Sequence, residues 1–260
     1  MSREMCYRCF WPRPLCWCPS IQPMPTRTRF VFLMSPMEFK REKAGTGRLT
    51  HLCLPHSEIH MGKSFDEHEA VQALLADPRH FCVLLYPGVG ARNVSTGGLT
   101  AAEIGGRQLV VILLDATWNG ARKMLGHSAS LQRLPRVMFT ASGPSRYVIK
   151  QQPQVGCLST LEATHEMLRA LASAGLDEYR LPEQLLGLFQ RMQDFQIKCA
   201  SDLTRPGYRR RPYSAPGERR WAHGRSGTRR RYVPPVGAPE PAAGPRPAAD
   251  GAGAIRPDAG

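Results

Sequence analysis

Two nearly unbroken apolar segments lie in the middle of the chain, at residues 81–88 (FCVLLYPG) and 108–115 (QLVVILLD). Strands that are covered on both faces in a parallel sheet have this pattern, whereas a strand with one solvated face alternates apolar and polar residues. Three further segments are rich in aliphatic, aromatic and β-branched residues, namely residues 28–35, 48–55 and 136–141. We predict that all five segments are strands of a mostly parallel sheet.

Two helices are predicted from signals at their amino ends. Ser64 and Glu67 have the spacing of an N-terminal capping box, which predicts a helix over residues 64–78 that stops at its proline. Ser159 and Glu162 have the same spacing and begin a second helix, which a glycine at position 175 is predicted to end.

A third helix is predicted over residues 182–199, because large apolar side chains recur on one of its faces. These are Leu185, Leu188, Phe189, Met192 and Phe195. Since predicted strands alternate with predicted helices, we expect an α/β fold with helices flanking both faces of the sheet.

The positive charge of the chain is unevenly distributed. The net charge is +14, and residues 205–260 contain 12 Arg and no Lys against 4 acidic residues. This segment has few aliphatic residues, so we predict that it is disordered. Its Arg, Tyr and Trp residues suit phosphate contact and base stacking, although a solvated tail without a partner is the alternative. The overall surplus of positive charge favours nucleic acid as a partner.

No membrane segment is predicted. The longest aliphatic run, residues 109–114, is far shorter than the roughly 20 residues that cross a bilayer. The N-terminus also lacks the apolar region of an export signal. We therefore expect a cytoplasmic protein with no membrane partner, in a reducing compartment where clustered cysteines are more often metal ligands than disulfides.

Four of the eight cysteines are clustered near the N-terminus. Cys6, Cys9, Cys16 and Cys18 have the spacing C-x2-C-x6-C-x-C. Four soft thiolates suit a tetrahedral structural Zn(II) site without a catalytic role. Four free thiols are the alternative, but exposed thiols oxidise readily. The remaining cysteines are predicted to be small buried hydrophobic residues.

Asp115 follows the most apolar segment directly. In open α/β sheets the ligand crevice lies beyond the carboxyl ends of the strands, where Asp115 is expected. A carboxylate at this position must face water, a ligand or a hydrogen-bond partner, because an unpaired buried charge is unfavourable. The alternative is that Asp115 or Thr117 only caps a helix that begins near Asn119.

The residues around Asp115 resemble the signature of the DTW-domain family, which are tRNA-uridine aminocarboxypropyltransferases. The resemblance covers about residues 6–200 and includes the four-cysteine cluster. The motifs that carry it are Asp115-Ala116-Thr117-Trp118 with ARKM at 121–124, TGRL at 46–49, LLYPG at 84–88 and LSTLEA at 158–163.

This resemblance implies transfer of the 3-amino-3-carboxypropyl group of S-adenosylmethionine to N3 of a uridine in tRNA, which forms acp3U and releases methylthioadenosine. It also implies a SPOUT-like α/β domain. We place this domain at residues 23–204, after a zinc-binding segment at 1–22 and before the basic tail at 205–260, which lies outside the resemblance. The alternatives are a SPOUT-like RNA methyltransferase and a non-enzymatic zinc-containing RNA-binding module.

The resemblance also assigns roles to residues. Asp115 is expected to take or orient the N3 proton, since a carboxylate partly removed from water is a better acceptor. Trp118 is expected to stack on the uracil or the adenine, with core packing as the alternative, and Thr117 to hold the base edge or the loop. Contacts to S-adenosylmethionine are expected from Tyr86, Pro87, Gly88, Leu158, Ser159 and Thr160. For Ser159, helix capping alone is the alternative.

Overall fold

A computed structural model describes residues 4–13, 16–41, 45–149 and 156–201 of the chain. The predicted disordered tail at 205–260 lies outside these residues. The strands are β1 (Arg29–Met34), β2 (Ser57–Met61), β3 (His80–Leu85), β4 (Arg92–Asn93), β5 (Gln108–Asp115) and β6 (Arg136–Met138). The α-helices are α1 (Pro36–Arg41), α2 (Thr46–Cys53), α3 (Glu69–Ala76), α4 (Ala101–Ile104), α5 (Trp118–Gly126), α6 (Ala129–Gln132), α7 (Thr160–Ser173) and α8 (Pro182–Ser201).

The strands form one sheet in the order β2-β1-β5-β3-β6-β4. Every pairing within this sheet is parallel, which confirms the predicted parallel sheet. The strand β5 is central, between β1 and β3, and its last residue, Asp115, lies opposite Met34 at the end of β1.

Helices cover both faces of the sheet, which confirms the predicted α/β architecture. On one face, Phe32 and Val111 belong to a core cluster with residues of α2, α7 and α8. On the other face, Val31 and Ile112 pack with residues of α3, α5 and α6. Because successive residues of a strand point to opposite faces, the central strands have no solvated side, and this accounts for their unbroken apolar sequence.

The segment predicted as a strand at 48–55 is a helix instead. The structure places α2 there, and the strand β2 follows it over Ser57–Met61. Leu49 and Cys53 are both buried, and their spacing of four residues puts them on one side of a helix. The buried apolar residues of this segment therefore recur with the period of a helix and not with that of a strand. The strand β2 was missed because it is an edge strand with polar residues and no long apolar run.

The predicted capping box of Ser64 and Glu67 is also wrong. The helix α3 begins at Glu69, and His68 is its N-cap, with the ring accepting from the backbone N–H of Val71. Ser64 Oγ instead donates to the carbonyl oxygen of His127 at 2.6 Å. A long-range contact has therefore replaced the local hydrogen bond that the spacing suggested.

The two later helices agree with their predictions. Ser159 and Glu162 form a complete capping box at the start of α7, and Gly175 follows the helix with a φ of 70°. The helix α8 buries the predicted apolar face against the rest of the core. In the part of the chain that the structure describes, no helix combines the length and the apolar character needed to cross a membrane.

Truncation of Val111 to Ala is expected to lower the free energy of unfolding by about 2 to 3 kcal/mol, because the side chain is 0% exposed in the central strand. The matched control is Val89→Ala, since Val89 is 83% exposed and the same change there is expected to stay within about 0.5 kcal/mol. Urea unfolding of both variants measures the difference, and equal effects would contradict the assignment of β5 to the core.

Candidate functional site at the carboxyl edge of the sheet

The strand order places the switch point of the sheet at the carboxyl ends of β1 and β5, and we call this region the crevice. The chain leaves β1 toward β2 on one side of this pair, and it leaves β5 toward β6 on the other side. Where connections from adjacent parallel strands diverge in this way, open α/β sheets bind their ligands. Asp115, the last residue of β5, lies at this point.

The carboxylate of Asp115 is held between the amino ends of two helices. Asp115 is 6% exposed, and its Oδ1 accepts a hydrogen bond of 2.6 Å from Thr160 Oγ1 in the first turn of α7. On the side of α2, a Cβ added to Gly47 would overlap Asp115 Oδ2 and lie 2.7 Å from Cγ. The amino ends of helices carry partial positive charge, which stabilises a carboxylate that is buried between them.

Arg48, next to Gly47, adds a buried cation to this region. It is 8% exposed, and its Nη2 donates to the carbonyl oxygen of Phe39 at 2.7 Å. The guanidinium carbon lies 4.7 Å from the ring centroid of Phe10 and 4.4 Å from that of Phe39. Burial lowers the pKa of Arg48, and the negative charge of Asp115 opposes that shift. The crevice therefore contains opposite charges that are both withdrawn from water.

Thr117 and Trp118 begin the helix α5. Thr117 is its N-cap, with Oγ1 accepting from the backbone N–H of Gly120 at 3.2 Å. Asp115 bonds to Thr160 and is not the cap of this helix. Trp118 is 40% exposed, which does not fit the alternative of core packing.

The loop after β3 borders the same edge of the sheet. The backbone N–H of Tyr86 donates to the carbonyl oxygen of Val137 at 3.1 Å, and Pro87 and Gly88 follow on the surface. Gly88 has a φ of 144°, a conformation that side chains rarely allow. The ring of Tyr86 packs with the cluster on the face opposite Asp115. The structure therefore brings the backbone of this loop to the edge, but not the Tyr86 ring to the carboxylate.

The start of α7 joins two groups of predicted site residues. Ser159 Oγ accepts from the backbone N–H of Glu162, and Glu162 Oε2 accepts from the backbone N–H of Ser159, so the predicted capping role of this serine is confirmed. Thr160 bonds directly to Asp115, and Leu158 precedes them half-buried. Sequence reasoning assigned no role to Gly47 or Arg48. Their position in the TGRL segment at 46–49 was the available signal, and this segment is the first turn of α2, not the approach to a strand.

The four N-terminal cysteines converge as predicted. Their sulfur atoms all lie within 4.8 Å of one another. The distance between Sγ atoms is 3.9 Å for Cys6 and Cys18 and 3.7 Å for Cys9 and Cys16. Four sulfurs at 2.3 Å from a tetrahedral Zn(II) lie about 3.8 Å apart. The geometry and the donor set therefore both fit zinc.

The thiols of the cluster differ in pKa. Hydrogen bonds from the backbone N–H groups of Cys9 and Arg8 lower the pKa of Cys6 to about 6. Burial and the neighbouring sulfurs raise the pKa of Cys18 to about 12, and burial also raises that of Cys16. Several thiolates at this spacing repel one another, and a divalent cation that replaces their protons removes the repulsion.

The cysteine cluster is attached to the rest of the core through aromatic contacts. The ring of Trp11 lies 5.0 Å from that of Trp17 and 5.2 Å from that of Phe195 in α8, measured between centroids. Cys9 and Trp11 are buried in the same cluster as the sheet residues of that face. Folding of the cluster therefore adds to the packing of α8.

Comparison with known proteins gives consistent matches. The model of the DTW domain matches residues 3–197. tRNA-uridine aminocarboxypropyltransferase 2 of Drosophila melanogaster is 32% identical over 178 residues, covering 66% of this chain and 68% of that protein. The Mus musculus protein of the same name is 31% identical over 218 residues, covering 81% and 72%. tRNA-uridine aminocarboxypropyltransferase A of Arabidopsis thaliana is 25% identical over 223 residues, covering 75% and 82%. No solved structure gives a significant match.

Replacement of Gly47 by Ala is expected to displace the Asp115 carboxylate, because the new Cβ would overlap Oδ2. Overpacking of this kind lowers the free energy of unfolding by about 1 to 3 kcal/mol. The control is Gly187→Ala in α8, where a Cβ meets no atom within 4 Å and the helix gains about 1 kcal/mol at most. Urea unfolding compares the variants, and a Gly47→Ala protein as stable as wild type would contradict the close approach.

Replacement of Cys9 by Ser is expected to reduce bound zinc well below the level of about one ion per chain that a four-thiolate site holds. Elemental analysis by mass spectrometry measures the zinc content of protein purified from zinc-supplemented cells. Cys82→Ser is the control, because Cys82 lies in β3 outside the cluster. Wild-type protein that contains no zinc would contradict the assignment.

Proposed function

The chain belongs to the DTW-domain family, and we propose that it transfers the 3-amino-3-carboxypropyl group of S-adenosylmethionine to N3 of a uridine in tRNA. The products are acp3U in the tRNA and methylthioadenosine. The relatives that are named for aminocarboxypropyl transfer to tRNA uridine support this activity. The observation in this chain that carries the proposal is the position of Asp115, the first residue of the family motif, in the crevice between β1 and β5.

The reaction exchanges one bond for another at a single carbon. The N3 lone pair attacks Cγ of the methionyl chain, so that an N3–Cγ bond forms. The Cγ–S bond breaks, and its electron pair converts the sulfonium into the neutral thioether of methylthioadenosine. The N3 proton leaves to a base. Because the leaving group is already excellent, the main task of the protein is to position Cγ, rather than the methyl carbon, against N3.

Asp115 receives or orients the N3 proton in this proposal. Thr160 donates to Oδ1 and thereby fixes the orientation of the carboxylate. Gly47 allows Oδ2 to lie against the backbone of α2. A base held in one orientation by its neighbours needs no rearrangement when the uridine arrives.

Trp118 and Thr117 are proposed to receive the uridine. The indole of Trp118, three residues after Asp115, is 40% exposed and can stack on a base. Such stacking contributes about 1 to 3 kcal/mol in proteins that bind single-stranded nucleic acid. Thr117 fixes the start of α5 through its cap, so it holds the loop that carries the indole.

S-adenosylmethionine is proposed to bind between the loop of Tyr86, Pro87 and Gly88 and the start of α7 at Leu158, Ser159 and Thr160. Gly88 permits close approach of a ligand to the backbone. The first turn of α7 has backbone N–H groups without partners in the helix, and these can donate to oxygen atoms of the ligand. The hydroxyl of Ser159 is already engaged with Glu162, which points to the backbone as its contribution.

Cys6, Cys9, Cys16 and Cys18 are proposed to hold a structural Zn(II), which stabilises the N-terminal segment and supplies no chemistry to the transfer. The SPOUT-like classification, the division at residues 22 and 204 and the cytoplasmic location belong to the same proposal.

The test of the proposal is mass analysis of tRNA nucleosides after incubation with the protein and S-adenosylmethionine. We expect a uridine that carries the aminocarboxypropyl group, together with methylthioadenosine. A uridine that has gained only a methyl group would instead indicate a methyltransferase. Binding of tRNA without any modification would favour the non-enzymatic RNA-binding module.

Replacement of Asp115 by Asn is expected to reduce the transfer rate by about 100-fold or more, because the amide cannot accept the N3 proton. Zinc content is expected to stay close to wild type, and the urea unfolding midpoint is expected to fall only modestly, because the Asn amide oxygen can still accept the hydrogen bond from Thr160. Asp194→Asn on the exposed side of α8 is the control and is expected to react at the wild-type rate. A folded Asp115→Asn protein with nearly wild-type rate would refute the role of this carboxylate.

A further inference from the structure

Arg48 is a buried cation with an incomplete set of partners. Its Nη2 donates to the carbonyl oxygen of Phe39, whereas its Nε is buried and has no hydrogen-bond partner among the described residues. Unpaired donors on buried charged groups are strongly unfavourable, and each one in a native structure calls for an explanation. An acceptor from a ligand would provide one.

The guanidinium of Arg48 is also fixed in place. It contacts the rings of Phe10, from the cysteine cluster, and of Phe39, from α1. Phe10 itself has a φ of 60°, and its backbone N–H donates to the carbonyl oxygen of Cys6 at 2.7 Å. A long side chain that two aromatic rings hold loses little further freedom when it binds an anion.

Arg48 lies close enough to Asp115 to interact with it electrostatically. Arg48 lies in the first turn of α2, beside Gly47, which contacts the carboxylate of Asp115. The methionyl chain of S-adenosylmethionine has an α-carboxylate at the end opposite the sulfonium. Guanidinium and carboxylate form short, charge-assisted hydrogen bonds, and these are strongest where water is excluded.

We propose that Arg48 binds the α-carboxylate of the methionyl chain of S-adenosylmethionine. This inference rests on the proposed function and deepens it. An anchor at the far end of the chain fixes the direction of the chain, and therefore determines that Cγ and not the methyl carbon faces the uridine. Arg48 is in this view a specificity-determining residue for group transfer at Cγ.

Decarboxylated S-adenosylmethionine separates this role from a structural one, because it keeps the adenosine, sulfonium and amine but lacks the carboxylate. Isothermal titration calorimetry measures the affinity of each compound for wild-type protein, Arg48→Gln and Arg48→Lys. The control is Arg107→Gln, since Arg107 lies just before β5, whose opposite end carries Asp115. The guanidinium carbon of Arg107 lies 4.6 Å from the ring centroid of Phe81, and its nitrogens donate to the carbonyl oxygens of Glu103 and Ile104.

Wild-type protein is expected to bind S-adenosylmethionine about tenfold or more tightly than the decarboxylated compound. Arg48→Gln is expected to lose that preference, because only its affinity for S-adenosylmethionine falls. Arg48→Lys is expected to retain part of the preference. Arg107→Gln is expected to behave as wild type.

A wild-type protein that binds both compounds equally would overturn the role of Arg48 and leave the proposed function standing. If Arg48→Gln lowers the affinity for both compounds by the same factor, Arg48 has a structural role, and the inference is overturned as well. If Arg48→Gln does not fold, the test uses wild type and Arg48→Lys alone. The ratio of the affinities for S-adenosylmethionine and the decarboxylated compound is then expected to be smaller for Arg48→Lys, and an equal ratio would overturn the inference. A wild-type protein that binds neither compound would overturn the proposed function together with the inference.

Discussion

The contact between Asp115 and Thr160 determines how the crevice is built. The two residues are 45 positions apart in the chain, and their hydrogen bond joins the end of the central strand to the start of α7. Gly47 brings the start of α2 against the other side of the same carboxylate. Three segments thus meet at one buried negative charge, which the amino ends of two helices stabilise. The carboxylate is therefore a structural centre of the crevice, and it is also the group to which the proposed mechanism assigns the N3 proton.

The parts of the fold that depend on local sequence were predictable. The strand at 108–115 is observed with the predicted bounds, because eight residues of nearly continuous apolar character suit a strand that is covered on both sides. The capping box of Ser159 and Glu162 is present because both partners lie within one turn of the same helix. The capping box predicted for Ser64 and Glu67 does not form, because Ser64 donates to the carbonyl oxygen of His127. The spacing of residues along the chain gives no information about a partner so distant in sequence.

The candidate site was predictable only in part for the same reason. The family motif indicated Asp115, Thr117 and Trp118, and the structure places them at the end of β5 and the start of α5. The hydrogen bond from Thr160 to Asp115 and the contact of Phe10 with Arg48 are tertiary, so no local pattern reports them. Because the segment at 48–55 was predicted as a strand, the amino end of α2 beside the Asp115 carboxylate was not predicted either.

The central position of β5 has a consequence for how the chain reaches this fold. The strand lies between β1 and β3, although it follows both of them in the sequence. Until residue 115 has left the ribosome, β1 and β3 lack the neighbour that joins them, and each presents an unpaired apolar edge that invites aggregation. Such an arrangement has a high contact order, which slows folding. Fragments that end before residue 108 lack β5, and we therefore expect them to aggregate instead of folding independently.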